Sequence, residues 1–254
     1  MAFEAYIEEA RRALDRVSRE QGGAIRGAAA IVARSLEAGG VLHAFGAGHS
    51  HLLAEEAFYR AGGLTAINPI LDGRLIFLEG ALESTRAERE VGYATRLLDD
   101  EDVRPGDAAI VASNSGRNVV PVEMALEFKR RGVGVVAITS LAHSRVVDAR
   151  HASGRKLFEI ADVVIDTGTP VGDASITLPD TTLRMGPLST ILGAAIVNSI
   201  IIETAQQLVR AGRQPPVLPS ANLDTTTEDD LARALAPYAD RIRYIDVPAE
   251  WIER

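Results

Sequence analysis

The sequence predicts a doubly wound α/β domain, in which helices cover both faces of a parallel sheet. Three observations lead to this fold class. Short runs that are apolar throughout, such as residues 41–45 and 108–112, are typical of strands buried on both faces. Stretches with helical spacing of apolar residues separate these runs, as parallel strands require. The chain has 254 residues and is 46% hydrophobic, which suffices for a full core.

The N-terminal half begins with two predicted helices and continues with alternating strands and helices. Within residues 2–37 apolar residues recur at helical spacing, Gly22-Gly23 interrupts the pattern, and Gly39-Gly40 ends it. The strands that follow are predicted at 41–45, 64–68 and 108–112. The helices that follow are predicted at 50–61, 84–98 and 119–131, with Ser84 as an N-cap.

The C-terminal half completes the sheet and then changes character. Strands are predicted at 133–139 and 163–166, and a long apolar helix at 187–211. A proline-rich linker at 213–219 precedes a short helix at 229–235 and an edge strand at 241–247. We therefore divide the chain into an N-terminal helical extension (1–40), a main domain (41–211) and a C-terminal tail (212–254).

Composition excludes several kinds of partner. The net charge is -8 without a lysine-rich arm, so no nucleic acid is expected. Cysteine is absent, which excludes disulfides and cysteine-based zinc sites. The start of the chain has no apolar signal segment, and the apolar stretch 191–202 contains Asn198 and Ser199. We expect a cytoplasmic protein that makes no membrane contact.

Two turns rich in glycine and serine follow predicted strands, and each opens into a helix. The first contains Gly46, Gly48 and Ser50. The second consists of Ser113, Asn114, Ser115, Gly116, Arg117 and Asn118. A helix N-terminus offers unpaired amides and the positive end of a dipole, glycine lets an anion approach the backbone, and serine adds hydroxyl donors. Two such turns on one parallel sheet predict a cradle for a phosphate group.

The same turns argue against nucleotide cofactors. His51 stands where the motif G-x-G-x-x-G needs its third glycine, which allows a helix to pack closely on a strand. The Gly-Lys-Ser/Thr of a P-loop is absent. His49 and His51 have no acidic partner at a recognisable metal-ligand spacing. We therefore expect neither a cofactor nor a metal ion.

Taken together, segments 46–50, 113–118, 137–140 and 186–190 resemble the SIS (sugar isomerase) domain family. The resemblance spans roughly residues 25–208 and implies a flavodoxin-like sheet in three α/β/α layers. It also implies that the chain binds a phosphorylated sugar and forms a homodimer or higher homo-oligomer with sites at the interface. The residues that it assigns to the substrate are Gly46, Gly48, Ser50, Ser113, Asn114, Ser115, Gly116, Arg117, Asn118, Thr139, Ser189 and Thr190.

Two enzymatic branches of that family share parts of this sequence. The chain looks most like an uncharacterised phosphosugar-binding and phosphoheptose isomerase-like group, whose first turn has a serine–histidine pair, as Ser50-His51 does here. The N-acetylmuramic acid 6-phosphate etherases resemble it in segments 78–83, 115–117 and 184–185. Neither match is complete. The helix after residue 187 lacks the isomerases' histidine, and the etherases' acidic motif is missing.

Moving a proton between adjacent sugar carbons requires a base, and a carboxylate or a histidine suits that role. Glu83 is the first candidate, and its structural alternative is to accept helix amides near Ser84. His49 and His51 flank the first turn and are expected to assist. The next candidate carboxylates are Glu55 and Glu56.

Three further polar positions carry expectations. In the basic segment 141–156, His151 is favoured over His143 as a substrate contact, because Ser153-Gly154 forms a flexible turn. Asp173 either binds sugar hydroxyls or caps the following turn. Asn198 is expected to hydrogen-bond across a dimer interface.

The resemblance and the residues together predict a cofactor-independent aldose–ketose isomerase that acts on a sugar phosphate, with Glu83 as base. The first alternative is an amino-sugar phosphate lyase of the etherase kind. The second is a non-catalytic phosphosugar sensor, which would act through a protein partner because the chain has no DNA-binding motif.

Overall fold

The structure is a computed structural model that describes residues 1–248. Its helices are α1 (Ala2–Glu20), α2 (Gly22–Glu37), α3 (His51–Ala57), α4 (Ala81–Ala87), α5 (Tyr93–Asp99), α6 (Val119–Arg130), α7 (Leu141–Ser144), α8 (Ser189–Arg210) and α9 (Glu228–Leu235). Its strands are β1 (Leu42–Gly46), β2 (Ile67–Ile70), β3 (Ala108–Ala112), β4 (Gly134–Thr139), β5 (Val163–Asp166), β6 (Ala174–Thr177) and β7 (Arg184–Pro187).

The main sheet confirms the predicted fold class. Its strand order is β2-β1-β3-β4-β5 and every pairing is parallel. This is the flavodoxin-like order, in which the chain leaves β1 toward one side and later returns to pair β3 on the other. The crevice of such a sheet opens where the carboxyl ends of β1 and β3 lie side by side. Both glycine–serine turns begin there.

Alternate residues of the buried strands point to two helical layers, which gives the three-layer arrangement. Leu42 and Ile110 join one core cluster, which α1, α2, α3 and α8 cover. Phe45 and Val111 join the other, which α5 and α6 cover. In each layer the helices bury apolar side chains that would otherwise face water, and this burial is the main stabilising contribution to such a fold.

Strand β2 lies later in the chain than predicted, at Ile67–Ile70 instead of 64–68. The strand includes Pro69, although proline cannot donate a hydrogen bond to a sheet. However, β2 is an edge strand that pairs with β1 alone, so the missing donor costs little there.

Several other elements differ from their predictions. The helix predicted at 84–98 is two helices, α4 and α5, and the helix predicted at 50–61 ends at Ala57. Ser84 is not an N-cap: it lies inside α4, whose cap position is Gly80. Strands β6 and β7 form an antiparallel hairpin that was not predicted. The strand predicted at 241–247 is not formed.

The N-terminal helices and residues 218–247 pack against the elements of the sheet. Val17 of α1 and Val32 of α2 belong to the same core cluster as α8. In the tail, Leu218, Leu235 and Ile242 bury against Val41 just before β1. In length and hydropathy α8 meets the criterion for a membrane span, but 44% of its apolar window is buried inside the protein, as in the core helix of a globular domain.

Candidate functional site

The turn after β1 is tightly closed. A side chain at Gly46 would place its Cβ 2.1 Å from the Ser50 carbonyl oxygen, so glycine is required there. Gly48 has a positive φ of 58°, and its amide donates to the Leu75 carbonyl oxygen at 2.8 Å. The Gly48 amide, which the resemblance assigns to the phosphate, therefore already has a partner in this structure.

The turn after β3 is held by a segment that we call the strap (residues 141–157). Three successive carbonyl oxygens of the turn accept hydrogen bonds from the strap. Ser115 accepts from the Ser144 hydroxyl at 2.7 Å. Gly116 accepts from the Leu157 amide at 2.9 Å, and Arg117 accepts from the Arg150 amide at 3.0 Å. Three consecutive peptide groups therefore have their oxygens turned toward the strap.

The amides of these peptide groups point the other way, because a trans peptide holds its N–H and C=O on opposite sides. The Gly116 amide donates to the Ser113 hydroxyl at a long 3.3 Å. Within the described part of the chain, the amides of Arg117 and Asn118 have no acceptor. We call these two N–H groups the amide nest. Adjacent amides of this kind form a concave site for an anion at the start of α6.

Gly116 permits this arrangement. It has a positive φ of 58°, and a Cβ there would lie 2.9 Å from the Ser144 hydroxyl and 3.0 Å from the Thr139 hydroxyl. The same two hydroxyl oxygens lie 3.1 Å apart. Any side chain at 116 would therefore separate the turn from the strap.

Two predicted ligand contacts, Asn114 and Thr139, already bond within the protein. The Asn114 side-chain oxygen accepts from the Thr169 hydroxyl at 2.8 Å, and its carbonyl accepts from the Ser140 amide at 3.0 Å. Thr139 is fully buried and donates to the same carbonyl. These side chains connect the turn after β3 to the ends of β4 and β5, and so they hold the turn in place.

The start of α8 is capped by an acidic side chain. Asp173 accepts from the Leu188 amide at 3.1 Å, the Ser189 amide at 3.0 Å and the Ser189 hydroxyl at 2.5 Å. Asp173 therefore caps the start of α8, 15–16 residues later in the chain, and not the turn that directly follows it. Thr190 is half-buried, and no described residue accepts a hydrogen bond from its hydroxyl.

Beside the nest, two buried polar atoms lack partners among residues 1–248: Arg117 Nε and His143 Nδ1. Burial and the nearby Arg117 charge lower the pKa of His143, against the opposing effect of Asp173. His151, favoured from the sequence, instead binds Ser153 in its own loop at 2.8 Å. His143 is thus the strap histidine that lies near the turn.

The predicted catalytic histidines differ in environment. His49 is exposed and packs against Phe77, with ring centroids 4.9 Å apart. His51 is 2% exposed, and its Nδ1 lies 2.9 Å from Glu55 Oε1, although the two atoms are not aligned for a hydrogen bond. Burial lowers the pKa of His51, against the opposing effects of Glu55 and Asp72. His51 is therefore neutral at pH 7, and its Nε2 has no partner among residues 1–248.

Glu83 lies close to the turn after β1. Its neighbour Ser84 donates to the Leu75 carbonyl oxygen at 3.0 Å, which also accepts from the Gly48 amide. Arg74 donates to Glu83 Oε1 at 2.7 Å, and this hydrogen bond lowers the pKa of Glu83. Glu83 is therefore ionised at neutral pH, in the form that accepts a proton.

Two other expectations concern residues outside the turns. Asn198 donates to Glu56 Oε1 at 3.0 Å, so its partner lies in the same chain. Among residues 1–248, no group of three or more histidine, aspartate or glutamate side chains is placed to hold a metal ion.

The N-terminal helix reaches the same edge of the sheet. Arg16 of α1 donates to the carbonyl oxygens of Gly168 (2.7 Å) and Thr167 in the loop after β5. A Cβ at Gly168 would lie 2.1 Å from the Arg16 guanidinium. Thr167 and Thr169 in turn bond to Asn114. The α1 helix is therefore connected, through this loop, to the turn that carries the nest.

Comparison with known proteins gives a consistent family. Residues 5–140 match the SIS domain. The chain is 41% identical over 237 residues to the UPF0309 protein of Listeria innocua, covering 93% of this chain and 96% of that one. The fold resembles phosphoheptose isomerases of Francisella tularensis (TM-score 0.50, 16% identity, 80% and 96% of the two chains) and Neisseria gonorrhoeae (TM-score 0.50, 18% identity, 78% and 96%). At these identities the two structures support the fold alone.

Proposed function

The chain belongs to the SIS-domain family, as the resemblance predicted, and we propose that it binds a phosphorylated sugar with the phosphate at the amide nest. The observation that carries the proposal is the orientation of the turn after β3. The carbonyl oxygens of this turn accept hydrogen bonds from the strap. The amides of Arg117 and Asn118 therefore point away from the strap, and they have no partners among residues 1–248. Amides at the start of a helix attract an anion.

The surroundings of the nest fit a phosphate group. Ser115 follows a buried strand and precedes the nest, so its hydroxyl adds a donor at the same turn. The nest lies at the carboxyl end of β3, beside the end of β1, where ligands of this sheet order bind. That the phosphate belongs to a sugar draws on the resemblance of both turns to SIS motifs.

We propose aldose–ketose isomerisation as the reaction. Ionised Glu83 accepts the C2 proton of the open-chain aldose, and the enediol receives that proton at C1, which yields the ketose. Neutral His51 moves the hydroxyl proton from O2 to O1, so no proton is gained or lost overall. A substrate would have to draw Glu83 away from Arg74, its hydrogen-bond partner. The homodimer or higher homo-oligomer with sites at its interface, which the resemblance implies, stays a prediction.

The binding proposal is tested by calorimetry with hexose 6-phosphates, N-acetylamino-sugar 6-phosphates, sedoheptulose 7-phosphate and their unphosphorylated parents. One phosphorylated sugar should bind, and its parent should not. Ser115→Ala should weaken binding about tenfold, as expected for one hydrogen bond to a charged group. Ser199→Ala is the matched control, because that hydroxyl bonds within α8. Equal binding of sugar and sugar phosphate would contradict the proposal.

The reaction is tested by NMR detection of deuterium uptake at the sugar carbons in D2O, with the phosphosugar that binds. Glu83→Gln and His51→Asn should retain the Kd within about threefold and lose exchange by about 100-fold or more. Glu90→Gln is the control for Glu83, because Glu90 also contacts Arg74, at 3.3 Å. Binding without exchange in the wild-type protein would reject the isomerase and favour a sensor.

A further inference from the structure

Three arginines from separate segments meet beside the start of α6. Arg117 belongs to the turn after β3, Arg150 to the strap, and Arg89 to the segment after α4. The Arg150 amide donates to the Arg117 carbonyl at 3.0 Å, and its guanidinium donates to the Asn118 side-chain oxygen. The Val120 amide donates at 3.1 Å to the carbonyl of Glu88, the residue before Arg89. Backbone contacts therefore fix all three segments around Asn118.

The positive charge of this cluster is not balanced by its own carboxylate. Glu88 is the acidic group that acts on Arg150, and burial raises the pKa of Glu88. Burial, and then the charges of Arg89 and Arg117, lower the pKa of Arg150. Two like charges and one carboxylate therefore act on Arg150, in a protein whose net charge is -8.

One donor of the cluster is buried and unused. Arg117 Nε has no hydrogen-bond partner within the described part of the chain. Leaving a buried charged donor unpaired is costly, and an anion is the group that would satisfy it. The Asn118 side chain does not cap α6, because its oxygen is taken by Arg150.

We propose that Arg89, Arg117 and Arg150 form a second anion subsite, and that the ligand therefore carries a second anionic group, a carboxylate or a further phosphate. This rests on the proposed function, because the first anion is the sugar phosphate at the nest. The nest opens away from the strap, whereas Arg150 approaches the turn from the strap side. The two sites thus flank Asn118 and take separate groups of one ligand.

The test compares three ligands that share one hexose: the 6-phosphate, the 1,6-bisphosphate and the 6-phosphoaldonate. Their Kd values are measured calorimetrically for the wild-type protein and for the double variant Arg89→Gln, Arg150→Gln. The control is Arg145→Gln, which removes an exposed charge from the strap outside the cluster. In the wild-type protein and the control, one of the two ligands with a second anionic group should bind about tenfold or more tightly than the monophosphate. Which one does so identifies the second group.

In the double variant that preference should fall below about threefold, while the monophosphate Kd changes less than about threefold. Equal affinity of all three ligands for the wild-type protein would overturn the proposal. So would a double variant that weakens every ligand equally, since the arginines would then serve the first phosphate.

If no sugar phosphate binds at all, the proposed function is rejected. The arginine subsite is then tested separately, with pyrophosphate as the ligand. Pyrophosphate should then raise the wild-type melting temperature more than that of the double variant. Equal shifts would overturn the subsite.

Discussion

The two ends of the main sheet both bury polar side chains, but they use them differently. At the amino end, both oxygens of Asp107 are occupied. Its donors are the Val41 amide (3.0 Å), the Arg104 amide (2.8 Å), the Arg241 guanidinium (2.8 Å) and His43 Nε2 (3.2 Å). At the carboxyl end, the amides of the nest and Arg117 Nε have no partner among residues 1–248. The donors that Asp107 satisfies hold the fold together, whereas the donors beside Asn118 are available to the proposed ligand.

If the amino end is structural, Asp107→Ala should cause the largest loss of stability. It removes the buried carboxylate that His43 and Arg241 share and leaves Arg241 with the more exposed Asp102 alone, and breaking a buried pair in this way costs about 3–5 kcal/mol. Urea unfolding followed by circular dichroism measures the loss. Asp102→Ala is the control at the same end: it also contacts Arg241, at 2.9 Å, but is more exposed. Equal losses in both variants, or a changed ligand Kd in folded Asp107→Ala, would break the comparison.

At the carboxyl end, Gly116→Ala should cost about 2–3 kcal/mol and abolish phosphate binding. A left-handed residue with a Cβ costs about 1 kcal/mol, and the contacts with Ser144 and Thr139 add about 1–2 kcal/mol. Gly154→Ala is the matched control, because φ there is 68° and nothing lies within 4 Å of the added Cβ. The control should show the backbone cost alone and keep the ligand. Urea titration and calorimetry supply both values, and identical behaviour of the variants would show that the strap does not shape the nest.

The smallest effect concerns His51, the buried histidine at the carboxyl end. Burial lowers its folded pKa below 6.5, so between the two values the unfolded chain binds more protons than the folded one. Neutral His51 therefore makes its full contribution to the free energy of unfolding above pH 6.5. That contribution is lost as the pH falls through the folded pKa. The urea midpoint should drop between pH 7.5 and 5.5 by more in the wild-type protein than in His51→Gln. A parallel drop in both would mean that other groups, His143 among them, account for it.

The sequence predicted the parts of the site that have local causes. A buried strand followed by glycine and serine requires a turn at the sheet edge whatever the rest of the chain does, so Gly46 and Gly116 were identifiable. The sheet itself followed from apolar runs that are buried on both faces. In both cases the neighbouring residues alone determine the conformation.

The parts that were missed depend on contacts distant in sequence. Ser144 holds the nest through a carbonyl 29 residues away, and nothing in its own helix marks it. Neither strand of the β6–β7 hairpin is buried, and although Ala174–Thr177 alternates apolar and polar residues, Arg184–Pro187 ends in glycine and proline, which interrupt a strand pattern. The Glu83–Arg74 bond joins α4 to the irregular segment before it, whose path no local pattern predicts. Such pairings can be recognised only once the fold has brought the segments together.

The bond between Arg16 and Gly168 joins residues 152 positions apart. Synthesis proceeds at about 5–20 residues per second, so Arg16 of α1 is synthesised roughly 8–30 s before Gly168, whose carbonyl oxygen it binds. Throughout that interval the apolar side of α1, with Ala10, Ala13 and Val17, has no α8 to cover it. The turn that carries the nest therefore receives the support of α1 only after residue 168 has been synthesised, and until then the apolar side of α1 is accessible to chaperones.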